Sequence, residues 1–192
     1  MGAMAALRAA TWPAHQQLER RLDVKARFAD SSAYCAYLRK MWGFCAALEA
    51  RLDAQQFGAA LPDYERRRKL PLLARDLSAL GIAAEAVARL PRCDRLPHCA
   101  DTSAAFGCAY VLEGATLGGR TLLPLVGMRL GLTAQHGASF LASYGDQTAL
   151  KWRSFGAALD AWCMHAERTA AAVAAAVSTF ESLQYWLCEA AA

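Results

Sequence analysis

No apolar run in this chain reaches the roughly 18 residues that a membrane-spanning helix requires, and runs alternating in β-branched residues are nearly absent. The seven cysteines (Cys35, Cys45, Cys93, Cys99, Cys108, Cys163 and Cys188) are odd in number and form no Cys-x-x-Cys pair. That pattern argues against a zinc site or a disulfide framework and for buried thiols acting as small hydrophobes. HExxH, Glu-x-x-His repeated on two helices, and GxSxG are all missing, which removes the usual supports for hydrolase and di-iron chemistry. No GxGxxG follows a strand, so no intrinsic flavin or nicotinamide site is expected. The N-terminus lacks the basic and apolar regions of a secretion signal. A cytoplasmic location follows as the expectation, with residues 1–4 disordered or a cloning remnant. A net charge of +4, without a large aromatic-laced basic surface, speaks against nucleic-acid binding. With no linker, repeat or low-complexity segment, the 192 residues read as one domain over 1–192.

What the chain does have is helix-forming residues. Hydrophobic residues make up 56%, and alanine dominates stretches such as AAAVAAAV at 170–177. The reading is all-α. A first helix spans about 4–25, its regular part opening near Thr11 as N-cap because Pro13 suits a first turn. Leu7, Thr11, His15, Leu18 and Leu22 then share one face. A second helix is predicted over 31–54, capped by Ser31 or Ser32, with Tyr34, Leu38, Met41, Cys45 and Leu48 inward. Pro62 and Asp63 open a third that carries the basic run ERRRKL, 65–70, and stops at Gly81. That run reads as a solvated helix face, with docking of an acidic partner as the alternative. Short helical pieces around 83–90 and a Pro/Cys/His connection at 90–103 precede a long helix capped by Asp101 or Thr102. It ends near Leu130, with a bend expected between Gly118 and Pro124. Two last helices are expected over about 146–162 and 165–191.

Within the long helix, YVLEGATLGG at 110–119 places three glycines where each costs about 1 kcal/mol relative to alanine. Gly114 and Gly118 share a face, with Gly107 and Ala115 near the same stripe. Such bare backbone suits either close helix packing or a flat ligand. His15 is the one histidine on a clear apolar helix face. Neutral imidazole is a common metal ligand and an axial ligand of haem iron, although a core histidine can equally be satisfied by a hydrogen bond. His98, His136 and His165 read as surface residues.

The segment LRAATWPAHQQLE, Leu7 to Glu19, resembles the proximal helix of haem oxygenases, and the glycine segment resembles their distal helix. KWRSFGAALDAW at 151–162 is similar to the family's penultimate helix, and TFESLQYWL at 179–187 to its last. The wording YVLEGATLGG resembles in particular that of the bacterial enzymes that accompany bacteriophytochromes. The resemblance implies a single-domain, multi-helical fold with haem sandwiched between a proximal and a kinked distal helix. It implies His15 as the iron ligand, and Gly114, Gly118 and Gly119 over the distal face with Thr116 as a polar contributor. Arg8, Thr11 and Arg153 would hold the haem, with Arg120 extending a basic rim. The implied reaction converts haem, at once cofactor and substrate, to biliverdin, carbon monoxide and ferrous iron. It uses O2 and electrons from a ferredoxin or reductase, and a bacteriophytochrome would accept the product. Ala115 stands where many members carry an aspartate that organises distal water. That departure keeps a haem carrier or sensor on the same fold as the alternative; a helical protein with His15 as a structural residue is a third reading.

Overall fold

The computed structural model describes residues 2–189. Among the described residues nine α-helices follow in order: α1 (Ala3–Arg21), α2 (Val24–Arg27), α3 (Ser31–Ala54), α4 (Leu70–Ala79), α5 (Ala84–Ala88), α6 (Thr102–Leu130), α7 (Ser139–Ala142), α8 (Thr148–Trp162) and α9 (Ala166–Cys188). No strand forms among the described residues; Thr133 makes single bridges to His136 and Gly137. None of these helices is long and apolar enough to cross a membrane.

The centre of the molecule is the pair α6 and α9, with α1 laid against α9. Small residues on both sides allow this approach. A Cβ at Gly107 would lie 2.1 Å from the Ala172 carbonyl oxygen, so the helices meet backbone to backbone there. Ala172, Ala175 and Ala176 complete the seam, and all three are buried. The alanine run is therefore a packing surface as well as a helix former.

A second close approach fixes the far side of α6. At Gly119 an added Cβ would stand 2.6 Å from the Leu141 carbonyl of α7. Four-residue α7 cannot hold itself, since isolated short helices are marginal. Its N-terminus is clamped by Asp76 of α4, which is fully buried. The carboxylate accepts from the Ser139 N–H at 2.8 Å, the Ser139 hydroxyl at 2.7 Å and the Phe140 N–H at 2.7 Å.

Several local expectations change. Ala3 and Met4 already belong to α1, and the Met4 N–H donates to Asp160 at 2.9 Å. Thr11 is not a cap. It lies mid-helix and buried, its hydroxyl donating to the Leu7 carbonyl at 2.8 Å, while Pro13 is tolerated inside a helix held by packing on α9. α3 has the expected bounds, but Asp30 caps it by accepting from the Ala33 N–H at 2.8 Å. The basic run does not continue one helix: a 3₁₀ turn over Tyr64–Arg67 ends at Arg68, and α4 starts afresh at Leu70 with Pro71 in its first turn. Asp101 does cap α6, which runs uninterrupted through Gly118 and Pro124 to Leu130. α9 ends at Cys188, and the last positions of the expected helix, 190–191, lie outside the described residues.

Gly107→Ala tests the α6–α9 seam. The new methyl must push backbone aside, and a loss of about 1–3 kcal/mol is expected. Thermal or denaturant unfolding would read it, and an unchanged midpoint would mean that the two helices do not touch there.

Candidate functional site

The apolar face of α1 serves two purposes along its length. Leu7 and Thr11 are buried in the core, whereas His15, Leu18 and Leu22 are only half-buried. The reason is a cavity of about 340 Å³ between that end of α1 and the glycine-bearing part of α6. Leu183 and Leu187 of α9, Tyr37 and Met41 of α3, and Phe140 and Leu141 of α7 complete an apolar wall. Burial pushes the Tyr37 phenol up, so it stays neutral. A mostly apolar cleft with few convergent polar groups is the usual form of a small-molecule site.

His15 stands on one wall. Its ring stacks on Trp12 with centroids 5.9 Å apart and meets Phe180 edge-on at 5.8 Å. Nδ1 is buried and has no hydrogen-bond partner, with Glu19 Oε1 3.7 Å away, beyond bonding distance. Yet the side chain is 43% exposed, so the accessible part of the ring is its other edge.

The glycines divide by neighbourhood rather than forming one uniform stripe. Gly118 is open, since an added Cβ would meet nothing within 4 Å. Gly119 lines the cavity with its backbone while its missing side chain makes room for α7. Gly114 does not line the cavity; its vacant Cβ position faces the Trp152 ring 4.0 Å away. Ala115 and Thr116 are on the wall. Thr116 is buried and its hydroxyl donates to the Glu113 carbonyl at 2.6 Å, which leaves only its acceptor capacity for the cavity.

Thus His15, Thr116, Gly118 and Gly119 come together on one cavity. Thr11, Arg8 and Arg153 are not among its lining residues. Thr11 meets Tyr110, whose ring lies 5.4 Å from Trp152, and the Arg8 charge is near enough to act on the Tyr110 phenol. Arg8 and Arg153 are exposed, as are Arg120 and the three remaining histidines.

Sequence reasoning missed the charges behind the distal wall. Arg67 and Lys69, read as part of a solvated face, are 4% and 2% exposed. Lys69 lines the cavity, and its ammonium donates to Glu113 Oε1 at 2.8 Å, the Tyr144 hydroxyl at 2.6 Å and the Arg67 carbonyl at 2.6 Å. Arg67 donates to Glu113 Oε2 at 2.6 Å, to Asp63 at 2.7 Å and to the Ser154 hydroxyl at 2.8 Å. Tyr144 donates to Glu113 at 2.6 Å. Burial first, and then the Glu113 carboxylate, push the Tyr144 phenol far up, so it acts as a neutral donor. Next door, Glu49 accepts from the Lys69 N–H at 2.5 Å and from Arg68 at 3.2 Å, and burial still raises its pKa. A run of four basic residues following one acidic residue carries no local signal of this, because the partners come from α3, α6 and the segment after α7.

Glu113→Gln leaves two buried cations short of one carboxylate, and a loss of about 3–5 kcal/mol is expected on unfolding. A change below 1 kcal/mol would mean that the network is solvated. Asp63 supplies a pH test. Burial works to raise its pKa, but the hydrogen bonds from Arg67 and Lys151 outweigh that and hold it below the ordinary value. Its contribution is therefore complete at neutral pH and lost as pH falls through the lowered pKa. The stability gap between the wild type and Asp63→Asn should stay constant above about pH 5 and shrink below about pH 3.9. A gap that grows in acid would contradict it.

Comparison with known proteins bears on what this cavity holds. The family model described as "Heme oxygenase" matches residues 1–189. A curated heme oxygenase of Xanthomonas campestris pv. campestris is 29% identical over 154 residues, covering 79% of this chain and 86% of that protein. The NO- and CO-bound heme oxygenase of Neisseria meningitidis superposes with a TM-score of 0.81 at 23% identity, covering 97% of this chain and 90% of the other. The Leptospira interrogans heme oxygenase gives a TM-score of 0.78 at 17% identity, covering 99% and 100%. At such identities the two structures speak for the fold. The match over nearly the whole chain identifies the family: this protein is an all-α enzyme belonging to the haem oxygenases.

Proposed function

We propose that this protein binds haem in the cavity between α1 and α6 and cleaves it to biliverdin, carbon monoxide and ferrous iron. The single observation that carries the reading is that the open edge of His15 and the bare backbone of Gly118 border the same apolar cavity. The residues fit the group. A buried Nδ1 without a partner belongs to a ring whose other edge is accessible, and opposite it lies a helix face with no side chain to obstruct a planar macrocycle. When bound, haem supplies both the iron that activates O2 and the macrocycle that is cut, with electrons from an external ferredoxin or reductase.

The chain's own residues then divide the work. His15 would hold the iron through an imidazole nitrogen, a weaker electron donor than a thiolate. Glu19, one turn on at 3.7 Å from Nδ1, could close in to accept a hydrogen bond from the Nδ1–H and orient the ring. Gly118 and Gly119 line the cavity with main chain, so with haem bound their amide dipoles would act there without a side chain in the way. Gly114 faces Trp152 at ordinary contact distance and takes no part in the cavity lining. Thr116 accepts but does not donate toward the cavity, so proton donation there falls to other groups and to water. Arg8 and Arg153 are exposed, and Trp152, next to Arg153 in sequence, meets the Tyr110 ring. The two arginines would bind propionates, and with Arg120 they would receive an acidic donor protein. YVLEGATLGG supports a bacteriophytochrome as acceptor of biliverdin. One cytoplasmic domain without flavin, nicotinamide, nucleic acid or membrane partners completes the proposal.

The test is an absorption spectrum of the protein with hemin, before and after electrons are supplied in air. The Soret band should give way to a biliverdin spectrum; a stable ferrous-oxy or ferric spectrum would instead mark a carrier or sensor. His15→Ala should change the ligand-field bands and abolish normal turnover, whereas unchanged bands would contradict the ligand assignment. Glu19→Gln should cost about 10- to 100-fold in haem affinity or turnover. Gly118→Leu should weaken carbon monoxide binding to the ferrous complex; unaltered affinity would remove α6 from the distal face.

A further inference from the structure

Cys99 and Cys108 are nine positions apart in sequence, and their sulfurs approach to 3.2 Å. Cys108 is fully buried on α6, and Cys99, 4% exposed, lies in the non-helical connector that leads into that helix. Thr179 of α9 brings its hydroxyl within 3.4 Å of the Cys108 sulfur, so that sulfur is held from behind. The connector is held as well: Arg51 of α3 donates to the carbonyls of Leu96 and Pro97, which sets a guanidinium just upstream of Cys99. His98 and Ala100, on either side of Cys99, are exposed, so a small outward movement of the connector opens its sulfur to solvent.

We infer that Cys99 and Cys108 form a thiol–disulfide modification site, which takes oxidants of the peroxide or low-molecular-weight disulfide class. Cys99 is the attacking sulfur. The sulfur hydrogen bond from Cys108 and the nearby Arg51 charge favour its thiolate against the cost of burial. With hydrogen peroxide, the thiolate attacks one oxygen, the O–O bond breaks, and hydroxide departs to become water as Cys99 turns to sulfenic acid. The Cys108 thiol then attacks that sulfur. The S–S bond forms, the S–O bond breaks, and the oxygen leaves as water with the thiol proton. Two electrons pass from the two sulfurs to one peroxide, which ends as two waters. Oxidised glutathione accepts the same two electrons and leaves as two glutathione thiols.

Closing the bond requires the sulfurs to move from 3.2 Å to about 2.05 Å, roughly the play of a side-chain torsion. It would fasten the connector to α6, with Cys108 about 9 Å along the helix before Gly114. Among the described residues this is the sulfur pair that the fold holds within such reach.

The sequence makes the test direct. Trypsin cuts after Arg95 and Arg120, so one peptide, 96–120, carries both cysteines and none of the other five. The folded protein, free of haem, is treated with hydrogen peroxide or oxidised glutathione, denatured with an alkylating agent, digested and weighed. Peptide 96–120 should be recovered unalkylated and two hydrogens lighter, and dithiothreitol before alkylation should restore two alkyl groups. In Cys99→Ser the lighter species should vanish and Cys108 should be alkylated. Recovery of 96–120 with both cysteines alkylated at oxidant levels that oxidise other thiols would overturn the assignment. So would cross-links from Cys108 to a different cysteine.

Discussion

Everything at the candidate site depends on α6 being pressed against two neighbours while one stretch of it stays bare. Gly107 lets α9 touch its main chain and Gly119 lets α7 do the same; between them Gly118 touches nothing. Those contacts hold a glycine-bearing segment helical although its composition disfavours helix by about 1 kcal/mol per glycine. Packing, rather than propensity, keeps this wall helical beside the cavity that His15 also lines.

The wall is braced from behind by charge. Lys69 and Arg67 converge on Glu113, the residue just before Gly114, and Tyr144 joins α7's end to the same carboxylate. Asp76, holding the N-terminus of α7, connects α4 to the helix that seats against Gly119. Buried ion pairs of this kind add little net stability against an apolar alternative, but they punish misplacement heavily. Such an arrangement suits a surface whose exact position matters more than its contribution to folding. Ala115 puts no carboxylate on the cavity wall, and the acidic group nearest to it along α6, Glu113, is turned into the network.

Much of this was legible in the residues. Periodicity found α3 to the residue, because its inward positions from Tyr34 to Leu48 repeat without interruption. His15 and the glycine segment were readable as a pair, since each breaks its own helix's rule: a polar ring on an apolar face, and missing side chains in mid-helix. Less was readable where burial depends on distant partners. ERRRKL looks solvated until Glu113 and Tyr144, both far along the chain, are brought to it. Gly114, Gly118 and Gly119 look equivalent until Trp152 and Leu141 distinguish them. Thr11 passed for a cap because Pro13 follows it, yet packing on α9 carries the helix through the proline.

The most direct measurement is a crystal structure of the protein grown with hemin. The macrocycle should lie in the α1–α6 cavity, with a His15 nitrogen on the iron and the Gly118–Gly119 main chain across its opposite face. An iron ligated by another residue, or a macrocycle seated outside that slot, would contradict the central claim.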